Sequence, residues 1–364
     1  MFTIPKRDLV RALESVASVA SKKSIQPILK CARFTVAKSR LTMQATDLFT
    51  SVTTCVDVER AKAADVAIDA SAMLARLKSL EDGDVTVEST GKSVAVKGSK
   101  SRRFTLPMMS GEDFPTLASP DDASTVAEIP ASALAHLLAG TRYASSRDEQ
   151  RAHIACVLLR FQDGKITAAA TDGHRIALRD AKVDGARASA DLLVPNAGVA
   201  ELLRLAEGDH DDVVRIATHE QMLVATLGRT SVSLKVVDGA FPQIEHILNR
   251  IHPDRSVTCS RQRLLDGIKA VSVASDQTSG RVVLEIESDR VRLLASSQDG
   301  GEFVDEFSGS LDGKPLRIAF AWRIVADALA AIGDEEISIR FGGELDPAVL
   351  KTSDTTAIMM PQRF

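Results

Sequence analysis

The sequence predicts an α+β protein built from three repeats, and three observations carry that prediction. Amphipathic helix patterns recur in pairs about 125 residues apart, alternating strand patterns fill the intervals, and a turn signal in the second repeat has an echo in the first. At 364 residues the chain has length enough for two or three domains with buried cores.

The first helix of each repeat is read from its apolar spacing. Residues 6–20 place Leu9, Leu13 and Val16 on one face, residues 132–144 do so with Leu134, Leu137 and Leu138, and residues 261–274 with Leu264, Ile268 and Val271. Pro5 and Pro130 precede the first two, 125 residues apart. A second helix follows at 71–80 (Leu74, Leu77), 196–205 (Val199, Leu202, Leu203) and 322–332 (Val325, Leu329, Ile332). Gly- or Asp-marked turns then lead to strands at 84–88, 213–217 and 336–340, while 41–45 and 291–295 alternate as strands between the helices. Phe-Pro bends recur at Phe114-Pro115 and Phe241-Pro242. Polar stretches at 118–124 and 249–256 set the expected domains at 1–124, 125–252 and 253–364, each with antiparallel sheet and two helices.

The densest local signal is Thr171-Asp172-Gly173-His174-Arg175, which follows the apolar run 165–170. Asp-Gly makes a tight turn because Gly takes φ > 0 without steric cost. The stretch Ala45-Thr46-Asp47-Leu48 echoes it one repeat earlier.

Composition narrows the function. A 45% hydrophobic and 26% charged balance is that of an ordinary soluble protein, and 4% aromatic content argues against base-stacking platforms. The net charge of −4 argues against wholesale coating of nucleic acid, but leaves room for basic residues gathered on one face. Such residues recur: Arg7, Arg11, Lys22 and Lys23 in the first repeat, Arg142, Arg147 and Arg151 in the second, Arg261, Arg263 and Lys269 in the third. That bias suits a surface meeting phosphates without reading bases. Four scattered cysteines, no signal-peptide pattern and no apolar run near ~18 residues point to a reducing, intracellular setting away from membrane.

No catalytic pattern emerges. Gly91-Lys92-Ser93 ends like a phosphate loop, but Thr86 stands where its first Gly belongs, so a hairpin turn is expected. A hydrolase built on His174 and Asp172 lacks a motif-positioned nucleophile. A non-enzymatic protein without metal or cofactor is expected.

The three repeats, the Thr-Asp-Gly-His-Arg stretch, Val237-Asp238-Gly239-Ala240-Phe241-Pro242, Pro27-Ile28-Leu29 and the C-terminal Met359-Met360-Pro361-Gln362-Arg363-Phe364 together resemble the bacterial sliding clamp, the β subunit of DNA polymerase III. The resemblance implies a head-to-tail homodimer: six domains closing a ring round duplex DNA, helices lining the hole and sheets outside. It implies a pocket for peptides of polymerase subunits, the clamp loader and other partners, formed by Ile154, Thr171, Gly173, His174, Arg175, Ile176, Pro242, His246, Ile247, Met359, Met360, Pro361 and Arg363. It places DNA contacts at Lys23, Arg7 and Arg11, with Arg147 and Arg151 in the second repeat, and the dimer interface at Phe104, Leu106, Val271 and Val273. The chain departs from the family pattern at His246 (usually Arg), Ala321 (often Asn), Gln362, Phe364 and Lys30-Cys31. These departures suggest a divergent or secondary clamp with altered partner choice as the alternative.

Overall fold

In the computed structural model, which describes residues 1–20, 24–117, 123–183, 189–207, 212–276, 278–297 and 300–364, the first helix is Lys6–Ala17. Its stripe of Leu9, Ala12, Leu13 and Val16 is buried, as the spacing requires. Two further helices start at side-chain caps: Asp69 Oδ1 accepts from Ala72 N at 2.7 Å to open Ala70–Lys78, and Ser260 caps Arg261–Val271. Asn196–Ala206 and Trp322–Ala330 complete the second-helix series.

Several helices stop a few residues before their patterns do, and two of them continue as a 3₁₀ turn. Residues 132–144 resolve into the α-helix Ala131–Ala139 and a 3₁₀ turn Arg142–Ala144; residues 261–274 resolve into Arg261–Val271 and a 3₁₀ turn Ser272–Ala274. In the first case the break falls at Gly140, whose missing Cβ leaves room for the Arg179 guanidinium. In the second, the Ser272 N–H bonds back to Ile268 and Ala270, tightening the last turn. Gly91-Lys92-Ser93 is a hairpin turn between Asp84–Ser89 and Ser93–Lys97, with Gly91 at φ +76°.

The described strands form antiparallel sheets, and the chain divides into two compact units. The first unit, Met1–Ala135 with Ala200–Val236, holds a twelve-stranded sheet. Within it Thr50–Asp57 of the first repeat pairs with Thr230–Lys235 of the second, Thr54 opposite Thr230. The second unit, His136–Val183, Ser189–Val199 and Val237–Phe364, holds a nine-stranded and a four-stranded sheet. There Arg175–Lys182 of the second repeat pairs with Thr355–Met359 of the third, Arg179 opposite Thr355. The second repeat is therefore shared, because its two outer strands complete ladders begun by its neighbours.

The core of the third repeat takes in Leu264, Ile268 and Val271 from one helix and Val325 and Leu329 from the other, against Leu284, Leu293 and Ile318 of the sheet. Each such side chain contributes roughly 1.5–3 kcal/mol by leaving water. No helix of the described residues is long and apolar enough to cross a membrane.

Candidate functional site

The turn at Thr171 is fixed by its own side chains. Thr171 Oγ1 accepts from Gly173 N at 3.1 Å and donates to the Arg175 carbonyl at 2.7 Å. Asp172 Oδ1 accepts from His174 N and Arg175 N at 2.9 and 3.1 Å. Gly173 sits at φ +96°, a conformation glycine adopts freely, and a Cβ there would come within 3.3 Å of Arg151 Nη2. Arg151 lies over this turn, its Nη1 donating to the Asp172 carbonyl at 3.3 Å.

Arg175 is held from several sides. Its Nε donates to Asp172 Oδ2 at 2.9 Å and its Nη1 to Asp327 Oδ2 at 2.6 Å, while the guanidinium lies 5.5 Å from the Tyr143 ring centre. With 12% of the side chain exposed, it locks the turn to helix Trp322–Ala330 instead of presenting a free donor to a partner. Burial pushes the Tyr143 phenol well above its usual pKa, so it stays a neutral ring beneath the cation.

The chain's C-terminal segment completes this surface. Met359 stands opposite Arg175 and Ile358 opposite Ile176 in the ladder, and the next residue, Met360, donates its N–H to the His174 carbonyl at 2.9 Å. Gln362 N then donates to the Ala319 carbonyl at 2.7 Å and Gln362 Nε2 to the Ser279 carbonyl at 3.0 Å; the Phe364 ring lies 4.8 Å from the Arg317 guanidinium carbon.

Of the predicted pocket residues, Ile154, Thr171, Ile176 and Met359 are buried and act as floor. Gly173, His174, His246, Ile247, Met360 and Arg363 are exposed, and Pro242 and Pro361 are half-buried. Ile247 and Met360 each expose 38% of their surface, a large share for apolar side chains. The wall helix Ile244–Leu248 carries His246 and Ile247 outward and is anchored by buried Ile244, which packs with Cys156, Ile176 and Ile358. One neighbouring residue escaped the sequence reading. Leu345, exposed, sits in the turn before Ala348, the ladder partner of Met359. Its Gly-Gly-Glu-Leu-Asp-Pro context reads only as a loop.

The basic residues divide. Arg7 and Arg11 are exposed on helix Lys6–Ala17, and Arg147 is exposed in its loop; Lys23 lies outside the described residues. Arg151 belongs to the Thr171 turn, as its bond to the Asp172 carbonyl requires. The interface expectation needs correction at two positions. Val271 is fully buried in the third repeat's core and Leu106 is buried in the first unit, so neither offers its side chain outward. Phe104 is half-buried, and Val273 is 85% exposed. The sequence reading also missed Phe303 and Val304, both exposed on Glu302–Ser308, an edge strand of the four-stranded sheet.

Family models for the N-terminal, central and C-terminal domains of the DNA polymerase III beta subunit match residues 1–118, 128–243 and 252–363. A beta sliding clamp of Pseudomonas aeruginosa is 28% identical over 373 residues, covering all of both chains, and one of Caulobacter vibrioides is 27% identical, covering 96% of this chain and 95% of its own. A solved sliding clamp of Pseudomonas aeruginosa, bound to griselimycin, superposes with a TM-score of 0.94 at 26% identity, over 100% of this chain and 99% of that one.

Proposed function

The chain belongs to the DNA polymerase III beta-subunit family, and on that premise we propose that it is a DNA sliding clamp. Two copies, each with domains 1–124, 125–252 and 253–364, close head to tail into a ring round duplex DNA. The ring tethers polymerase subunits, the clamp loader and other partners in the cytoplasm and confers processivity without catalysing a reaction or holding a cofactor. Arg7, Arg11, Arg147 and Lys23 meet phosphates weakly and without sequence preference, so the ring slides while its topology keeps it on DNA.

The observation that carries the reading is the junction of turn and tail. Met360 is fixed to His174 by a backbone hydrogen bond, and exposed Met360 and Ile247 accompany a floor of Ile154, Ile176 and Met359. An apolar slot with a few oriented polar groups suits an extended peptide with apolar anchors. Ring closure is supported by two strand edges. Residues 103–107 pair on one side only, since the second ladder of Arg103–Ser110 begins at Met108, and this edge carries Arg103. The edge strand Glu302–Ser308 brings Glu302, Phe303, Val304 and Glu306. Opposite charge beside apolar contact suits such a pair of edges.

Loading by a clamp loader and ATP onto nicked circular plasmid, followed by sizing at raised salt before and after linearisation, tests the reading. Retention on circles with loss after cutting is expected, because salt weakens phosphate contacts but leaves a closed ring linked. Loss from circles and linear DNA alike, with a matched loader, would overturn it. Altered partner choice is the second reading. It is favoured by the tail, where Gln362 and Phe364 are held by Ser279 and Arg317, and by His246, exposed where the family pattern has Arg. Titration with a standard clamp-binding peptide decides this point, with weakened binding expected.

A further inference from the structure

Arg179 shows how this fold seats a guanidinium. It is the fifth residue of strand Arg175–Lys182, its cross-strand partner is Thr355, and it is buried. Its Nε donates to Thr355 Oγ1 at 2.8 Å, Nη2 to the Ala331 carbonyl at 2.8 Å and Nη1 to the His136 carbonyl at 3.1 Å. The same construction occurs one repeat earlier in the other unit. Thr54 is the fifth residue of Thr50–Asp57, its cross-strand partner is Thr230, and their hydroxyl oxygens lie 2.8 Å apart. The adjacent helices match as well: Glu201 and Asp327 are each the sixth residue of Asn196–Ala206 and Trp322–Ala330. At the place that Arg179 holds in the second unit, the first unit has the short side chain of Thr54.

Beside it is an open cleft of about 580 Å³, lined by helix Lys6–Ala17, by the segment that carries Glu201 and by the Thr54–Thr230 pair. The wall charges decide what it takes. Arg204 is held by Glu201 Oε1 at 2.7 Å and Arg229 by Asp57 at 2.6 Å; Glu201 Oε2 accepts from Ser18 Oγ at 2.8 Å, and each carboxylate oxygen keeps a second lone pair. Among the described residues, the remaining lining charges are the carboxylates of Asp8, Glu207 and Asp212 against the guanidinium of Arg11, and Arg7 approaches Asp8 only at 3.6 Å.

We infer that this cleft is a guanidinium-binding site, taken by an arginine side chain on a peptide segment or by a free arginine-like cation. The planar guanidinium donates to Thr230 Oγ1 and to the Glu201 carboxylate, as Arg179 does to Thr355 and Arg175 to Asp327. The volume exceeds one side chain, and the counterpart region holds two arginines, Arg175 and Arg179, with Tyr143 against Arg175. Lysine fits less well, because a point ammonium cannot span a hydroxyl and a carboxylate in one plane.

Calorimetric titration of the intact protein supplies the readout. Acetyl-arginine amide should bind at least about tenfold more tightly than acetyl-lysine or acetyl-norleucine amide. An arginine-bearing peptide binding more tightly than the capped amino acid would assign the site to peptides; equal affinity would assign it to the free cation. Thr54→Arg, whose side chain starts on the face of the Thr54–Thr230 pair, should fill the seat from within, abolishing that binding and raising the unfolding midpoint. Equal affinity for all three capped amino acids, or undiminished arginine binding in Thr54→Arg, overturns the proposal. If Thr54→Arg does not fold, Glu201→Gln decides: arginine affinity retained in full also overturns it.

Discussion

Replacing Arg179 by Met keeps an unbranched apolar stem and removes five donors. Those donors serve Thr355 Oγ1 and the carbonyls of His136 and Ala331, with the Asp354 carboxylate 3.8 Å from Nε. Only 5% of the residue is exposed, so water does not reach the acceptors left behind. Truncating one member of a buried charged network costs about 3–5 kcal/mol. Three acceptors at about 1–2 kcal/mol each give a similar figure. Asp354 is partly solvated and keeps its 2.6 Å contact with His136 Nε2, which places the expected loss near the lower end, about 3 kcal/mol. Trp322, the chain's one tryptophan, opens the helix that ends beside Ala331, so its fluorescence during urea unfolding reports on this region. With a slope of about 2 kcal/mol per molar, the midpoint should fall by about 1.5 M. Gly140 provides a second reading, because a Cβ there overlaps the guanidinium. Gly140→Ala should be costly in the parent and nearly neutral beside Arg179→Met. A loss under about 1 kcal/mol, or an equal Gly140→Ala penalty in both backgrounds, refutes the reasoning.

At the proposed ring interface, Val273→Asp puts a charge on an 85% exposed apolar side chain and should yield monomers by light scattering at low concentration; an unchanged mass removes Val273 from that interface. Met360→Ser and Ile247→Ser should each weaken a partner peptide about five- to tenfold, since finishing the burial of a half-covered apolar side chain contributes about 1 kcal/mol; calorimetric titration showing equal affinities would remove them from the pocket. Hydrogen bonds from Arg33 and Arg263 hold Asp65 and Asp305 below the usual carboxylate range. A depressed carboxyl contributes stability that is complete above its unfolded pKa, about 4, and is lost as pH falls through the folded value. The urea midpoint should therefore hold from pH 7 to 5 and fall below about 4, less steeply in Asp305→Asn; identical acid limbs would exclude the Arg263 pair as a cause.

Apolar spacing made the helices legible, and Leu9, Leu13, Leu264 and Leu329 are buried where their periods put them. The Asp-Gly turn was legible too, since few residues other than glycine accept φ +96°. Periodicity gives the face of an element but not what covers it. Val271 and Val273 both read as apolar, yet one closes the core and the other stands in solvent because a 3₁₀ turn begins between them. Arg175 was legible as a residue of the turn, but nothing local reveals that Asp327, 152 residues on, holds it. Phe303 and Val304 alternate like any strand; only the sheet order shows that theirs lies at an edge.

The first repeat shows which part of the candidate site is framework. Thr46, Asp47 and Thr50 repeat the four turn bonds between side chain and backbone made by Thr171, Asp172 and Arg175, without the bond from the Arg175 side chain to Asp172, and Lys235 N donates to the Phe49 carbonyl at 2.9 Å as Met360 N does to His174. The turn and its ladder bond therefore belong to the fold, and any partner specificity resides in the side chains mounted on them. Those differ: Leu48 replaces Gly173 and is held at φ +80°, where a side chain costs roughly 1–2 kcal/mol. Leu48→Gly removes that strain and gives back up to about 1 kcal/mol through a more flexible unfolded chain, so it should be neutral or stabilising by up to about 1 kcal/mol. Gly173→Leu pays both strain and crowding against Arg151, and should lose stability along with peptide binding. If the two exchanges shift the urea midpoint equally, the turns are interchangeable and the difference between glycine and leucine carries no functional meaning.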